Sequence, residues 1–225
     1  MRLILWEVDA QADFMLPDGK LYVPGAEKII PNLNRLVEAA RQGRVLLISS
    51  ADAHAADDPE FRQWPPHCVK GTTGAELIPE ARAARVLVIP NESDCVLPSD
   101  FRAYQQLLLE KNTLDVFDNP TTDKLLARLS ASLEAGVAAA PEFLVFGVVT
   151  EYCVLHAADG LLRRGYRVRI VEDAIRSLDD QEGRTVLSDL QSRGVDLIST
   201  DGALSLVDRD PQGVAESKLG KAAGN

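Results

Sequence analysis

The sequence predicts an α/β protein built on a mainly parallel sheet with helices on both sides, and three observations carry that prediction. Short continuous apolar runs, of the kind a strand buried on both faces shows, recur along the chain. Segments with apolar residues at helical spacing lie between them. The two kinds alternate, and alternation of strand and helix is the pattern of parallel sheets.

Taken in order, Arg2 to Val8 reads as a buried strand. Ala26 to Ala40, with Ile29, Ile30, Leu33, Leu36 and Val37 on one face, reads as an amphipathic helix stopped near Gly43. Val45 to Ile48 is the next strand. Residues 50 to 80 are rich in Asp, Pro, Gly and Thr and read as an irregular connection, a length that marks function or disorder. Val86 to Ile89 and Leu107 to Leu109 are short strands that bracket Pro90 to Gln106, a segment with no assignable period. Thr121 to Ala135 is a helix with Thr121 or Thr122 as its cap.

Phe143 to Gly165, FLVFGVVTEYCVLHAADGLLRRG, reads as strand, tight turn and helix, with Val154, Leu155, Ala157, Ala158, Leu161 and Leu162 repeating at helical spacing and Gly165 as the C-terminal stop. A strand at Arg167 to Val171, a helix near Gly183 to Arg193 and a strand at Val195 to Ser199 follow. The core is expected to end near residue 207, with 208–225 a flexible tail, polar and rich in small residues. A length of 225 residues and 46% hydrophobic content suit one domain over the whole chain, 1–225.

A formal charge of −10 and a pI near 4.8 argue against nucleic acid and against anionic membrane surfaces as partners. No apolar run approaches the length of a membrane span, and the first residues turn acidic too soon for a signal peptide. Cys68, Cys95 and Cys153 form an odd set without framework spacing, which suits a reducing cytoplasm.

Cys153 falls in the first turn of its helix, at the carboxyl end of a strand, where open α/β sheets put their active sites. Cysteine is more often inert core than nucleophile, so partners must be sought elsewhere in the chain. Asp9 follows the first strand and would emerge at the same edge, able to take a thiol proton and hand it to a leaving amine. Asp13, in the same V-D-A-Q-A-D-F stretch, reads as structural. Lys111 closes the run LLLE and could set an ammonium beside the thiolate, lowering its pKa. Two of three histidines lie in the 50–80 loop: Asp52, His54 and His67 could form a mixed nitrogen and oxygen site for Zn²⁺, Mn²⁺ or Fe²⁺, with Glu60 as a fourth group directly or through water. His156 reads as an ordinary helix histidine.

VDAQADF, D-A-H with WPPHCVKGTTGAE, LLLEKNTLDVF and GVVTEYCV, in this order, resemble the isochorismatase-like cysteine hydrolases, and the metal loop is most similar to that of nicotinamidase/pyrazinamidase. The likeness runs from about Leu3 to Ser199. It implies a three-layer α/β/α sandwich on a six-stranded, mostly parallel sheet, and a catalytic triad of Asp9, Lys111 and Cys153. It further implies a cis peptide between Val148 and Val149, an oxyanion hole of the Val149 and Cys153 N–H groups, and metal ligands Asp52, His54 and His67, with Glu60 matching a ligand of some members. Zn²⁺ is the first choice of metal. Phe14, Trp64 and Tyr152 would hold a pyridine ring. Two departures are visible: Ala53 stands where an aromatic is common, and the long Pro90 to Gln106 segment leaves Asn91 as a rival to Lys111.

The implied activity is conversion of nicotinamide to nicotinic acid and ammonia through a thioester, in a cytoplasmic homo-oligomer. The alternatives are another small amide or ureido substrate, of the N-carbamoylsarcosine or ureidoacrylate type, and a non-catalytic protein that kept the fold. An isochorismatase proper typically lacks the triad cysteine.

Overall fold

The structure is a computed structural model that describes residues 3–134 and 140–210. Its strands are β1 (Leu3–Val8), β2 (Leu46–Asp52), β3 (Val86–Ile89), β4 (Gln106–Lys111), β5 (Glu142–Val148), β6 (Arg167–Arg176) and β7 (Asp196–Ile198). Its α-helices are α1 (Ala12–Met15), α2 (Ile30–Arg41), α3 (Thr122–Glu134), α4 (Leu155–Arg163), α5 (Asp180–Ser192) and α6 (Thr200–Arg209). The strands form one sheet in the order β3-β4-β2-β1-β5-β6-β7, and every pairing is parallel. The sheet therefore has seven strands, not the six that the family likeness implies; each of the seven apolar stretches pairs.

The apolar runs explain the centre of the sheet. All six residues of β1 and all seven of β5 are buried, so these strands carry Leu, Ile, Val and Phe on both faces. From β1 the chain crosses through α2 to β2 on one side, and from β5 it crosses through α4 to β6 on the other. Because parallel crossovers are right-handed, these opposite directions put α2 and α4 on opposite faces of the sheet. α6 packs on α2, and α5 packs on α4, completing the layers.

The reversal of direction between β1 and β5 opens a crevice at their carboxyl ends. Asp9 leaves β1 there, Asp52 and Lys111 end the paired strands β2 and β4 in register with each other, and Cys153 follows β5.

Several elements differ from the sequence expectation, among them β4, which runs on to Lys111. β2 continues to Asp52, and β6 runs on through Glu172 and Asp173 to Arg176. α5 starts at Asp180, where Asp179 caps it by accepting from the Gln181 and Glu182 N–H groups. α6 was not foreseen: Ser199 caps it, and its buried Ala203 and Val207 join the core. The Asp210 carboxylate accepts from the Leu3 N–H at 2.8 Å, so the first part of the expected tail is tied to β1. Residues 211–225 of that tail, and Arg2 and Ala135 at the ends of expected elements, lie outside the described residues.

Candidate active site

Cys153 sits not in a regular helical turn but in a π-helical one, Thr150–Val154, that follows β5 and leads into α4. Gly147 makes this approach feasible. Its φ is +118°, and a Cβ there would lie 2.1 Å from the Val8 carbonyl oxygen, so only glycine lets β5 run this close to the end of β1. The next peptide, Val148–Val149, is cis. Asp9 has a left-handed backbone, φ +50°, which turns the chain sharply out of β1.

The three separated side chains meet. Lys111 Nζ lies 2.9 Å from Asp9 Oδ2 and 3.4 Å from Cys153 Sγ, and all three residues are buried. The ammonium also donates to Asp52 Oδ1, so a single cation bridges two carboxylates. Asp9 Oδ1 accepts from the Ser50 hydroxyl at 2.6 Å. Asp9 Oδ2 contacts the ammonium as an ion pair without the alignment of a hydrogen bond. Asn91 pairs instead with Asn112 in a partly exposed position, which removes it as a rival to Lys111.

Burial sets the protonation of this cluster. It pushes the Cys153 thiol well above its ordinary pKa, and the Lys111 charge offsets only part of that rise because Asp9 and Asp52 oppose it. Lys111 acts on the thiol in the expected downward direction, but burial and the two carboxylates that share its charge outweigh it. Burial likewise raises Asp9, with Lys111 opposing and the Asp52 charge reinforcing. For Asp52 burial also acts upward, but Lys111 and the His54 and His67 rings outweigh it and hold the carboxyl below its usual range. Lys111 is raised despite burial, by Asp52 and Asp9.

Asp52, His54 and His67 offer ligand atoms that all lie within 4.8 Å of one another, and all three side chains are buried. His54 Nε2 is 3.7 Å and His67 Nε2 is 3.6 Å from Asp52 Oδ2, too far for hydrogen bonds. Tetrahedral bonds of about 2.1 Å to a metal would separate two ligand atoms by about 3.4 Å, close to these spacings. His67 Nδ1 lies 2.8 Å from the Pro65 carbonyl oxygen, which selects the tautomer with a free lone pair on Nε2. Asp58 Oδ2 stands 3.1 Å from His54 Nδ1, a carboxylate behind the ring, though the alignment falls short of a hydrogen bond. Both nitrogens of the fully buried His54 lack hydrogen-bond partners. The donor set fits a divalent metal of the zinc type. Glu60 is outside the tight cluster; it lines the adjoining pocket, and burial together with the Asp52 charge raises its carboxyl.

That pocket, about 380 Å³ including its open mouth, has Asp9, Asp52, His67 and Cys153 in its walls. Phe14, Trp64 and Tyr152 line it with Leu21, Leu114 and Leu178. Trp64 and Tyr152 meet edge to face at 5.4 Å between ring centroids, and Phe14 lies 5.3 Å from the His67 ring. His156 is on α4 away from the cluster, 4.0 Å from an Asp115 oxygen.

Sequence reading missed the supports. The Gln11 side chain accepts from the Asp52 N–H and donates to the Asp52 carbonyl, clamping that residue from both sides. Asp13 accepts from the Cys68 N–H at 2.7 Å, next to His67, which gives the expected structural role a specific form. Phe61 packs against both His54 and His67. Gln11 and Asp13 carried a signal, their place in the V-D-A-Q-A-D-F stretch; Phe61 carried none.

The comparisons with known proteins agree with this geometry. The nicotinamidase of Escherichia coli (strain K12) is 25% identical over 195 residues, covering 77% of this chain and 83% of its own. A solved pyrazinamidase of Pyrococcus horikoshii in complex with zinc is 27% identical with a TM-score of 0.67, over 88% of this chain and 99% of that one. The N-carbamoylsarcosine amidase of Thermoplasma acidophilum is 25% identical with a TM-score of 0.67, over 89% of this chain and 98% of that one. The Isochorismatase domain family matches residues 3–93 and 84–202, nearly all of the sheet and every strand end that carries the cluster, and the chain belongs to that family.

Proposed function

We propose that this isochorismatase-family hydrolase is a metal-assisted cysteine amidohydrolase that converts nicotinamide to nicotinic acid and ammonia. The observation that carries the reading is the meeting of Lys111 with Asp9 and Cys153, at 2.9 and 3.4 Å, beside the Asp52, His54 and His67 cluster in the wall of one pocket.

In this reading Cys153 starts as the thiol, in line with the burial and the two carboxylates that push its pKa up against Lys111. Asp9 therefore takes the proton as Cys153 Sγ attacks the amide carbonyl carbon. The N–H groups of Val149 and Cys153 hold the oxyanion. Asp9 then gives its proton to the departing nitrogen, ammonia leaves, and a thioester remains on Cys153. Asp9 next draws a proton from water, whose oxygen attacks the thioester, and the acid departs as the proton returns to sulfur. Lys111 stabilises the charge that moves among Asp9, sulfur and Asp52.

Asp52, His54 and His67 would hold the metal, with Glu60 reaching it through water. A bound Zn²⁺, or Mn²⁺ or Fe²⁺ in its place, supplies a Lewis acid site for a heteroatom of the substrate ring. Phe14, Trp64 and Tyr152 flank the ring and turn its amide toward Cys153, which is catalysis by positioning. Three cysteines without a disulfide among the described residues support a reducing cytoplasm, and no described helix is long and apolar enough to cross a membrane. We take the chain to work as one hydrolase domain in a homo-oligomer on a small-molecule amide.

The test is ammonia release from nicotinamide, pyrazinamide, N-carbamoylsarcosine and ureidoacrylate, with and without chelator. Nicotinamide should be turned over, chelator should suppress it, and Cys153→Ala should abolish it while leaving the fold intact. Turnover retained in Cys153→Ala removes the mechanism. The second reading, a carbamoyl amidase, rests on the Thermoplasma acidophilum neighbour. It prevails if only the ureido substrates react and chelator has no effect.

A further inference from the structure

Glu7 is a carboxylic acid one residue from the end of β1, fully buried between apolar neighbours, and no step above uses it. Its Oε1 accepts from the Ala10 N–H at 2.8 Å. That amide lies past the end of the β1 ladder, whose last paired residue is Val8, so the strands offer it nothing. Ala10 is itself fully buried, and without Glu7 its N–H would be an unsatisfied donor beside the active site.

The Ala10 amide follows directly on Asp9, the residue with a left-handed backbone. Aspartate tolerates that conformation only with local support. The Gln11 N–H to the Asp9 carbonyl and the Asp9 N–H to the Ser50 carbonyl supply part of it, and Glu7 supplies the rest from beneath. Glu7 is itself braced. It pairs in register with Ser49, whose hydroxyl accepts from Gln106 Nε2 at 2.7 Å. Gln106 is pinned to the backbone at the Ala81 carbonyl and the Ala83 N–H. A row of buried polar side chains, Gln106, Ser49 and Glu7, thus crosses the sheet from β4 through β2 to β1.

We propose that Glu7 is a positioning residue for Asp9: through the Ala10 amide it holds the left-handed turn that aims the Asp9 carboxylate at Lys111 and Cys153. The turnover part of the test rests on the amidohydrolase reading; the backbone part does not.

The variants are Glu7→Gln, which keeps an acceptor oxygen for Ala10, and Glu7→Leu, which fits an apolar core but accepts nothing. Amide hydrogen exchange is read residue by residue, together with kcat and KM for ammonia release. In Glu7→Leu the Ala10 amide should exchange at least tenfold faster while Leu5, in the same strand, stays within threefold. Its kcat should fall roughly 10- to 100-fold with KM within threefold, and Glu7→Gln should recover at least a third of the wild-type kcat. Unchanged Ala10 exchange in Glu7→Leu, uniform loosening of all of β1, or a wild-type kcat in Glu7→Leu overturns the proposal. A wild type inert on every amide would defeat the amidohydrolase reading, and the Ala10 exchange rates would still judge the turn.

Discussion

Glu7 also makes the stability of the protein depend on pH in a direction opposite to most acidic residues. Burial pushes its pKa from an ordinary 4.5 up to about 8, helped by the nearby Asp9 charge and opposed by the hydrogen bonds from Ser49 and Ala10. In the folded state the proton is therefore kept between pH 4.5 and 8, while the unfolded chain releases it. Folding is favoured most below 4.5, and stability is lost as pH rises through the folded pKa. The full difference of 3.5 pH units is worth about 5 kcal/mol at 1.36 kcal/mol per unit, with a slope of about 1.4 kcal/mol per pH unit between 5 and 8. Glu7→Gln cannot ionise. Its stability relative to wild type should rise by about 4 kcal/mol from pH 5 to pH 8, a relative shift in Tm on the order of 10 °C for a chain of this size. Urea denaturation of both proteins at pH 5, 6, 7 and 8, with chelator present so that metal does not contribute, measures the difference and cancels the groups they share. A Glu7→Gln difference flat to within about 0.5 kcal/mol over that range would refute the buried, protonated carboxyl.

Three other perturbations follow from the site. Lys111→Met leaves Asp9 and Asp52 facing each other without their cation; it should lose about 3 to 5 kcal/mol of stability by denaturation in chelator, and turnover should fall by at least about a hundredfold. Gly147→Ala drives a Cβ to 2.1 Å from the Val8 carbonyl oxygen at a φ of +118°, and the three nearest atoms it meets are all Val8 backbone; it should lose at least about 3 kcal/mol, or fail to accumulate as folded protein. Asp58→Ala takes away the carboxylate behind His54; elemental analysis after dialysis against graded chelator should show metal affinity down by about 10- to 100-fold, with the secondary structure by circular dichroism unchanged.

Much of the fold was legible because parallel strands are buried on both faces, and Phe143 to Val148 or Leu3 to Val8 can be read without any partner in view. Where burial is one-sided the reading faltered. Glu172 and Asp173 interrupt the apolar pattern of β6 at its exposed stretch, and α6 buries only part of a polar sequence. The candidate ligand residues were visible as residue types, since few histidines occur and two share a loop. Their supports were not. Asp58 behind His54, Phe61 against both rings and Gln11 across to Asp52 are contacts made by an irregular chain, which has no period to betray them.

The charge state of Cys153 shows most clearly what spacing cannot supply. A lysine beside a cysteine suggests a thiolate, and that inference treats the pair as alone. Here Asp9 and Asp52 already share the one ammonium, so Lys111 does not act on the sulfur alone. Burial and the two carboxylates push the thiol up against it. Asp9, raised by the same burial and the same neighbour, is the group whose affinity for a proton has been brought closest to the task. In the proposed reaction Asp52, by sharing Lys111, leaves the proton of Cys153 to Asp9, and the aim of Asp9, with the turn above Glu7, is then the geometry that the Glu7 variants test.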